Sequence, residues 1–151
     1  MATTTETHTE TRFGPWSPAQ LIVAAVGVFL AVIGGIALAQ TGGFGDWTGP
    51  QTTVLGFGHT PLLAVIEIAV GLLIMTDAVS PWGARSTLVG FGVLFLTFGL
   101  IVWIQPTALD QWLGVTRETG MLYTALGAGG VLLGTVSPVI GERVYDERAS
   151  V

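Results

Sequence analysis

Residues 61–79, PLLAVIEIAVGLLIMTDAV, have the length and composition of a membrane-crossing helix but place a carboxylate in its first half. Thr60 stands where a helix cap is expected, and Pro61 suits the first helical position. A charged carboxylate among Leu, Ala, Val and Ile is costly unless it is neutral, paired or facing something polar. The stretch therefore predicts a helix and raises the question of what Glu67 contacts.

Three further apolar stretches without any charged residue lie on either side of this one, at residues 21–39, 87–104 and 119–139. At about 1.5 Å per residue, each is long enough to cross a hydrocarbon core of roughly 30 Å. With residues 61–79 they predict an all-α integral membrane four-helix bundle.

The composition agrees with a membrane class. Half of the 151 residues are apolar and 10% are charged, whereas soluble domains carry roughly 25% charged residues. The bundle would occupy residues 21–139, between polar tails at residues 1–20 and 140–151. The chain has no cysteine, so it offers neither disulfides nor thiolate metal sites. The net charge of −5 argues against nucleic-acid binding.

The arginines predict the orientation in the membrane. One arginine lies in the longer connections between apolar stretches, and four lie in the tails and the short second connection: Arg117 against Arg12, Arg85, Arg143 and Arg148. Because basic residues favour the cytoplasmic side, both termini are predicted to be cytoplasmic.

The two halves of the chain resemble each other. LGFGHTPLLAVIEIAVGLLI, from Leu55, aligns with LGVTRETGMLYTALGAGGVLL, from Leu113, at an offset of 58 residues. The sequence therefore predicts two repeated helical hairpins. At this offset Glu67 aligns with Ala125, and His59 with Arg117. The carboxyl is thus expected to be special to one half.

Small residues predict where helices pack closely. They recur at four-residue spacing on the first helix, and on the fourth helix they include a GxxxG pair; Gly71 lies on the same side of the second helix as Glu67. The predicted helix-packing positions are Gly27, Ala31, Gly35, Gly71, Gly120, Gly130 and Gly134. Two uses fit this pattern, packing within the bundle or docking a helix of another subunit.

Three roles for Glu67 are consistent with the sequence. It is a neutral or hydrogen-bonded carboxyl that ties its helix to a neighbour through Tyr123, Thr97 or Thr124, because desolvation favours the neutral form. Alternatively, it handles a proton or solute, as intramembrane ionisable groups commonly do. The third role is an ion pair with a basic group of a partner protein.

His59 and Arg117 are the other candidate functional residues. Eight helical residues span about 12 Å, so His59 is expected nearer the outer surface, as an interfacial residue at the helix start. Asp77 and Arg85 flank the short connection and are predicted to pair.

The sequence contains no nucleophile with its base, no phosphate-binding loop and no metal-ligand cluster. We therefore expect a protein without catalytic activity or cofactor that acts as an accessory or assembly subunit. Its expected partners are membrane lipids and either other membrane subunits or a second copy. The alternatives are a small transporter or proton-coupled carrier that uses Glu67, and a quinone- or thiol-linked redox subunit.

Residues 64–99, AVIEIAVGLLIMTDAVSPWGARSTLVGFGVLFLTFG, resemble the centre of DoxX-like small membrane proteins. The matching residues are Glu67, Gly71, Leu72, Leu73 and Arg85. The overall pattern is also similar to actinobacterial four-helix membrane proteins of unknown function. The resemblance implies an accessory subunit of a thiol or quinone redox complex in the bacterial plasma membrane. Without cysteine, any redox role would depend on a partner.

Overall fold

The computed structural model describes residues 16–49 and 51–136, and 76% of this part is helical. In chain order the elements are α1 (Pro18–Gln40), β1 (Thr52–Val54), β2 (Phe57–His59), α2 (Pro61–Asp77), α3 (Pro81–Ile104), α4 (Thr107–Leu113) and α5 (Arg117–Val136). The predicted C-terminal tail, most of the predicted N-terminal tail and the end of the predicted fourth helix lie outside the described residues.

Three helices, α1, α3 and α5, are long and apolar enough to cross a membrane, which indicates a membrane protein. The helix that carries Glu67, α2, has 17 residues and is not among these three. At about 1.5 Å per residue it is roughly 26 Å long.

The connections between the long helices contain short elements that the prediction of an all-α four-helix protein does not include. The described residues contain five helices and a two-stranded antiparallel hairpin, in which Thr52 pairs with His59. The hairpin turns at Leu55 and Gly56, both of which have positive φ. The sequence predicts loops in the two longer connections, because elements of three to seven residues give no hydropathy signal.

Helix starts are set by cap residues that hydropathy does not detect. Ser17, Thr60 and Ser80 each cap a helix whose first residue is proline. The first and third helices consequently begin at Pro18 and Pro81, ahead of the predicted residues 21 and 87.

The helices form two closely packed antiparallel pairs, α1 with α2 and α3 with α5. A Cβ on Gly34 would lie 2.6 Å from the Ala64 carbonyl oxygen, and one on Gly71 would lie 2.6 Å from the Gly27 carbonyl oxygen. The small residues at these contacts are seven residues apart: Gly27 and Gly34, then Ala64, Gly71 and Ala78, then Gly92 and Gly99, and finally Gly120, Gly127 and Gly134. Seven residues are close to two turns, so each series stays on one face.

The prediction that the four-residue ridge on α1 packs within the bundle is therefore wrong at Gly35, whereas docking of another subunit there stays a prediction. Four residues advance a helix by about 40° more than one turn, so the ridge rotates away from the partner helix. Gly35 is exposed, with nothing within 4 Å of a Cβ built on it, whereas its neighbour Gly34 is buried against α2. Ala31 is half-buried and lies against Gly71.

The buried positions of the two pairs match in register. Four buried residues of α2 recur in α5, each 56 residues later: Leu63, Ala64, Glu67 and Gly71 correspond to Thr119, Gly120, Tyr123 and Gly127. Four buried residues of α1 likewise recur in α3, each 65 residues later: Val23, Gly27, Leu30 and Gly34 correspond to Leu88, Gly92, Phe95 and Gly99. One pair is thus built like the other.

Hydrogen bonds at the end of the bundle where α1 and α3 begin follow the same two offsets. Gln20 Nε2 donates to the Ala78 carbonyl at 3.0 Å, and Arg85 Nε donates to the Gly134 carbonyl at 3.0 Å. The predicted Asp77–Arg85 pair does not form, because Arg85 is directed to α5 and Asp77 accepts from the Thr87 hydroxyl at 2.5 Å.

Candidate functional site

A buried cluster of three polar side chains lies at the opposite end of the bundle. His59 ends β2, Glu67 is in the second turn of α2, and Tyr123 is in the second turn of α5. Their exposed fractions are 1%, 4% and 3%. Thr60 separates the strand from the helix: its hydroxyl accepts from Leu63 N–H, and its own N–H donates to the Leu113 carbonyl.

Glu67 contacts both other members of the cluster. The Tyr123 hydroxyl donates a hydrogen bond to Oε1, and His59 Nε2 lies 3.2 Å from Oε2. Of the three partners expected from the sequence, Tyr123 is the one in contact. Thr97 and Thr124 instead donate to carbonyls of their own helices.

His59 is not the interfacial residue expected from the sequence. The predicted separation of about 12 Å assumed a continuous helix from His59 to Glu67. Because His59 belongs to a strand and the chain turns at Thr60, its ring lies beside Glu67 instead.

The hydrogen-bond partners limit where the protons of the cluster lie. His59 Nδ1 lies 2.8 Å from the Phe57 carbonyl oxygen, which can only accept, so Nδ1 carries a hydrogen. A favourable contact between Nε2 and Oε2 then requires one further proton, on either the ring or the carboxyl. Both arrangements give the His59–Glu67 pair zero net charge. The cluster thus holds an ionisable group in an apolar setting without a net buried charge.

The pKa of His59 is raised above its ordinary value of 6.5. Burial lowers the pKa, but the contact with Glu67, its charge and the bond to the Phe57 carbonyl together outweigh burial. Folding therefore favours protonated His59.

Tyr123 is held by aromatic packing. Its ring lies 5.2 Å from that of Phe98, edge to face, and 5.5 Å from that of Phe95. Since both phenylalanines belong to α3, the phenol is fixed by its own helix pair and reaches across to Glu67 in the other pair.

Tyr123 also occupies the position equivalent to Glu67, 56 residues later. The predicted equivalence of Glu67 with Ala125 is therefore wrong. Thr116 caps α5 as Thr60 caps α2, since its hydroxyl accepts from the Thr119 N–H. The Leu55–Gly56 turn lies two residues farther from Thr60 than Leu113–Gly114 lies from Thr116, so aligning the turns shifts the helices by two positions. Aligning the caps, Thr60 with Thr116, would have identified Tyr123.

Arg117 does not join the cluster. It is exposed at the start of α5 and lies beside Trp103, Ile104 and Pro106 in an open depression. Val115, with 1% exposed, stands 56 residues after His59. Glu67 lines a cavity that includes neither His59 nor Arg117, and the depression beside Arg117 includes neither His59 nor Glu67.

Two cavities of similar size lie between the helix pairs. One of about 120 Å³, the Glu67 cavity, is lined by Leu30, Leu63, Ile66, Glu67, Val70, Leu94, Phe95, Phe98, Leu113 and Tyr123. The other, the α1–α5 cavity, measures about 160 Å³ and is lined mainly by apolar residues of α1, α3 and α5, with Thr87 as its polar side chain. An ionisable side chain thus distinguishes the Glu67 cavity.

Within residues 16–49 and 51–136 no three His, Cys, Asp or Glu side chains are grouped as metal ligands. No family model matches the chain, and no curated protein or solved structure matches it either. The resemblance to DoxX-like proteins therefore stays an expectation.

Proposed function

We propose that the protein is a four-helix integral membrane protein of the bacterial plasma membrane, with α1, α2, α3 and α5 as its spans. The matching registers of the two helix pairs support a repeated hairpin. The bonds from Gln20 to Ala78 and from Arg85 to Gly134 support termini on one side, since they join the starts of α1 and α3 to the far ends of α2 and α5. The arginine distribution favours the cytoplasmic side.

Within that membrane we propose a non-catalytic accessory or assembly subunit. The observation that carries this proposal is that Glu67 is engaged by His59 and Tyr123 of its own chain. A carboxyl used in this way joins the two helix pairs, as expected of a structural group. The DoxX-like resemblance of residues 64–99 points to the same kind of subunit.

Affinity purification of the tagged chain from its native membrane in a mild detergent tests this proposal. We expect a partner protein to co-purify in stoichiometric amount. A lone 15.7 kDa monomer that unfolds and refolds without any partner would contradict it.

Two variants would locate the docking face. Gly35→Leu and Gly90→Leu add bulk on outward faces of α1 and α3, where nothing lies within 4 Å of an added Cβ. Each variant should melt no lower than the wild type, because leucine is a better helix residue than glycine where space is free. Loss of the partner in one of them identifies the face that docks it.

A proton-coupled carrier is the second candidate function. It is favoured by the 3.2 Å contact between two ionisable groups, His59 Nε2 and Glu67 Oε2, with Glu67 lining a cavity. Proton flux into liposomes should then fall in Glu67→Gln. Unchanged flux, in a variant as stable as the wild type, would remove this candidate.

A further inference from the structure

The α1–α5 cavity is a recess between the two helix pairs, near the end of the bundle where α1 and α3 begin. Val23 of α1, Ile74 of α2 and Leu88 of α3 are buried in its wall. Its α5 side reaches the surface of the bundle, because Ala125 is exposed there and Leu133 has 42% of its surface exposed. In a membrane that side faces lipid acyl chains, so an apolar molecule dissolved in the bilayer has access to the cavity.

Two adjacent glycines of α5 contribute to this space. At the offset of 56 residues that relates α2 to α5, Gly129 corresponds to Leu73 and Gly130 to Ile74. α5 thus has no side chain at two wall positions where α2 has large ones. A Cβ on Gly130 would lie 2.9 Å from the Leu88 carbonyl oxygen, so this glycine allows α5 to approach α3. A Cβ on Gly129 would have nothing within 4 Å, so the space beside this glycine is free.

The lining of the cavity suits an apolar occupant better than water. Its one polar side chain is Thr87, and the Thr87 hydroxyl hydrogen is donated to Asp77. A single side-chain acceptor is left, whereas an ordered water needs about two to four polar partners. An apolar molecule instead supplies the dispersion contacts that the atoms lining an empty cavity lack.

We propose that the α1–α5 cavity binds a small apolar molecule of about the size of one aromatic ring, which enters from the bilayer. An apolar cavity of about 150 Å³ in another protein stays dry and binds benzene, and this cavity measures about 160 Å³. Monocyclic aromatic hydrocarbons and short hydrocarbon chains are the matching class. A lipid acyl chain is the competing occupant, but it is much longer than a space of this size holds. The site goes beyond the proposed accessory role and does not depend on it.

Fluorine NMR on the full chain in lipid nanodiscs tests this proposal with fluorobenzene and 1-fluoronaphthalene, which differ by one fused ring. Empty nanodiscs correct for partitioning into lipid. We expect saturable binding of fluorobenzene at one site, with an affinity at least about tenfold higher than that of 1-fluoronaphthalene, because two fused rings overfill the cavity.

Two results would overturn the proposal. Binding of 1-fluoronaphthalene as tight as that of fluorobenzene would show that no cavity of one-ring size selects the ligand. Absence of saturable fluorobenzene binding would show that the cavity is closed or that an acyl chain occupies it.

Two matched leucine variants locate the bound probe. Gly129→Leu adds a side chain at the wall of the cavity, and Gly35→Leu adds the same side chain on α1 at a position that does not line it. Nothing lies within 4 Å of an added Cβ at either position. Gly129→Leu should weaken fluorobenzene binding by about tenfold or more, while Gly35→Leu keeps the wild-type affinity. Equal binding in the two variants would place the probe elsewhere and contradict the assignment.

A third variant keeps the test decisive if Gly129→Leu does not fold. Ala125 lines the cavity one turn earlier in α5 and is exposed, so Ala125→Leu adds bulk without opening a packed contact. It should weaken fluorobenzene binding in the same way. Wild-type affinity in Ala125→Leu and in Gly35→Leu alike would contradict the assignment.

Discussion

At Glu67, a histidine from a strand and a tyrosine from the other helix pair together accommodate a carboxyl in an apolar helix. The His59–Glu67 pair carries no net charge, and the Tyr123 hydroxyl satisfies Oε1. The sequence identified Glu67 and included Tyr123 among three partners. It misplaced His59 because a strand–helix turn brings residues together that helical spacing separates.

The Tyr123→Phe variant isolates the bond between the two helix pairs. It keeps the ring against Phe95 and Phe98 but removes the donor to Glu67. We expect a loss of about 1.5–3 kcal/mol in the free energy of unfolding, typical of a hydrogen bond to a charged group. Denaturant unfolding in detergent measures the loss. In a Glu67→Gln background the same change should cost less, and wild-type stability of Tyr123→Phe would contradict the assigned bond.

The raised pKa of His59 makes stability depend on pH. Because folding raises the pKa, the stabilisation is complete below the unfolded value of about 6.5 and is lost as pH rises through the folded pKa. Melting temperatures between about pH 5.5 and 8.5 should therefore fall as pH increases. His59→Gln should flatten this dependence, and replacement of the other histidine, His8, should leave it intact. The same slope in His59→Gln would assign the dependence to another group.

At the scale of the helices, glycines seven residues apart set the close approach within each pair. Neighbouring glycines on α1 offer a matched comparison. A Cβ on Gly34 would meet the Ala64 carbonyl oxygen at 2.6 Å, while one on Gly35 meets nothing within 4 Å. The sequence showed which residues are small but not which of two adjacent glycines faces the partner helix. That choice depends on a drift of about 40° at each four-residue step.

Gly34→Ala should destabilise the protein by about 1–3 kcal/mol, because the α1–α2 contact must open. Gly35→Ala should stabilise it by roughly 0.5–1 kcal/mol, since alanine is the better helix residue where space is free. Melting temperatures of the two variants under one detergent condition measure the difference. Equal effects would mean that α1 does not face α2 through Gly34.

In the molecule as a whole, hydropathy predicted all four long helices, but not how the two pairs align. Positions of α2 and α5 correspond at an offset of 56 residues, whereas the sequence alignment predicts 58. The difference arises because the two Leu-Gly turns lie at distances from their helix caps that differ by two residues. The hairpin and α4 were missed as well, since their short segments are held by contacts such as that of Thr60 with Leu113. The local hydropathy pattern predicts each long helix. The register between the two helix pairs depends instead on loop length and on contacts between the halves.

The two pairs should assemble without a covalent link. Val79 and Ser80 connect them and are exposed, and each pair is closely packed within itself. Residues 1–79 and 80–151, co-expressed as separate chains, should co-purify through a tag on either one. Tyr123→Phe in the second chain should lower the yield of the complex. Failure to co-purify would show that the connection is required for assembly.

The matching positions of Glu67 and Tyr123 mean that the two helix pairs cannot be identical at this contact. A hairpin paired with an identical copy would bring two carboxyls together, or two phenols, and two carboxylates in a buried site repel each other. A carboxyl acceptor that faces a phenol donor requires two halves with different sequences. Two halves of one chain can differ in this way. In this chain the two corresponding positions hold unlike side chains, and each supplies what the other lacks.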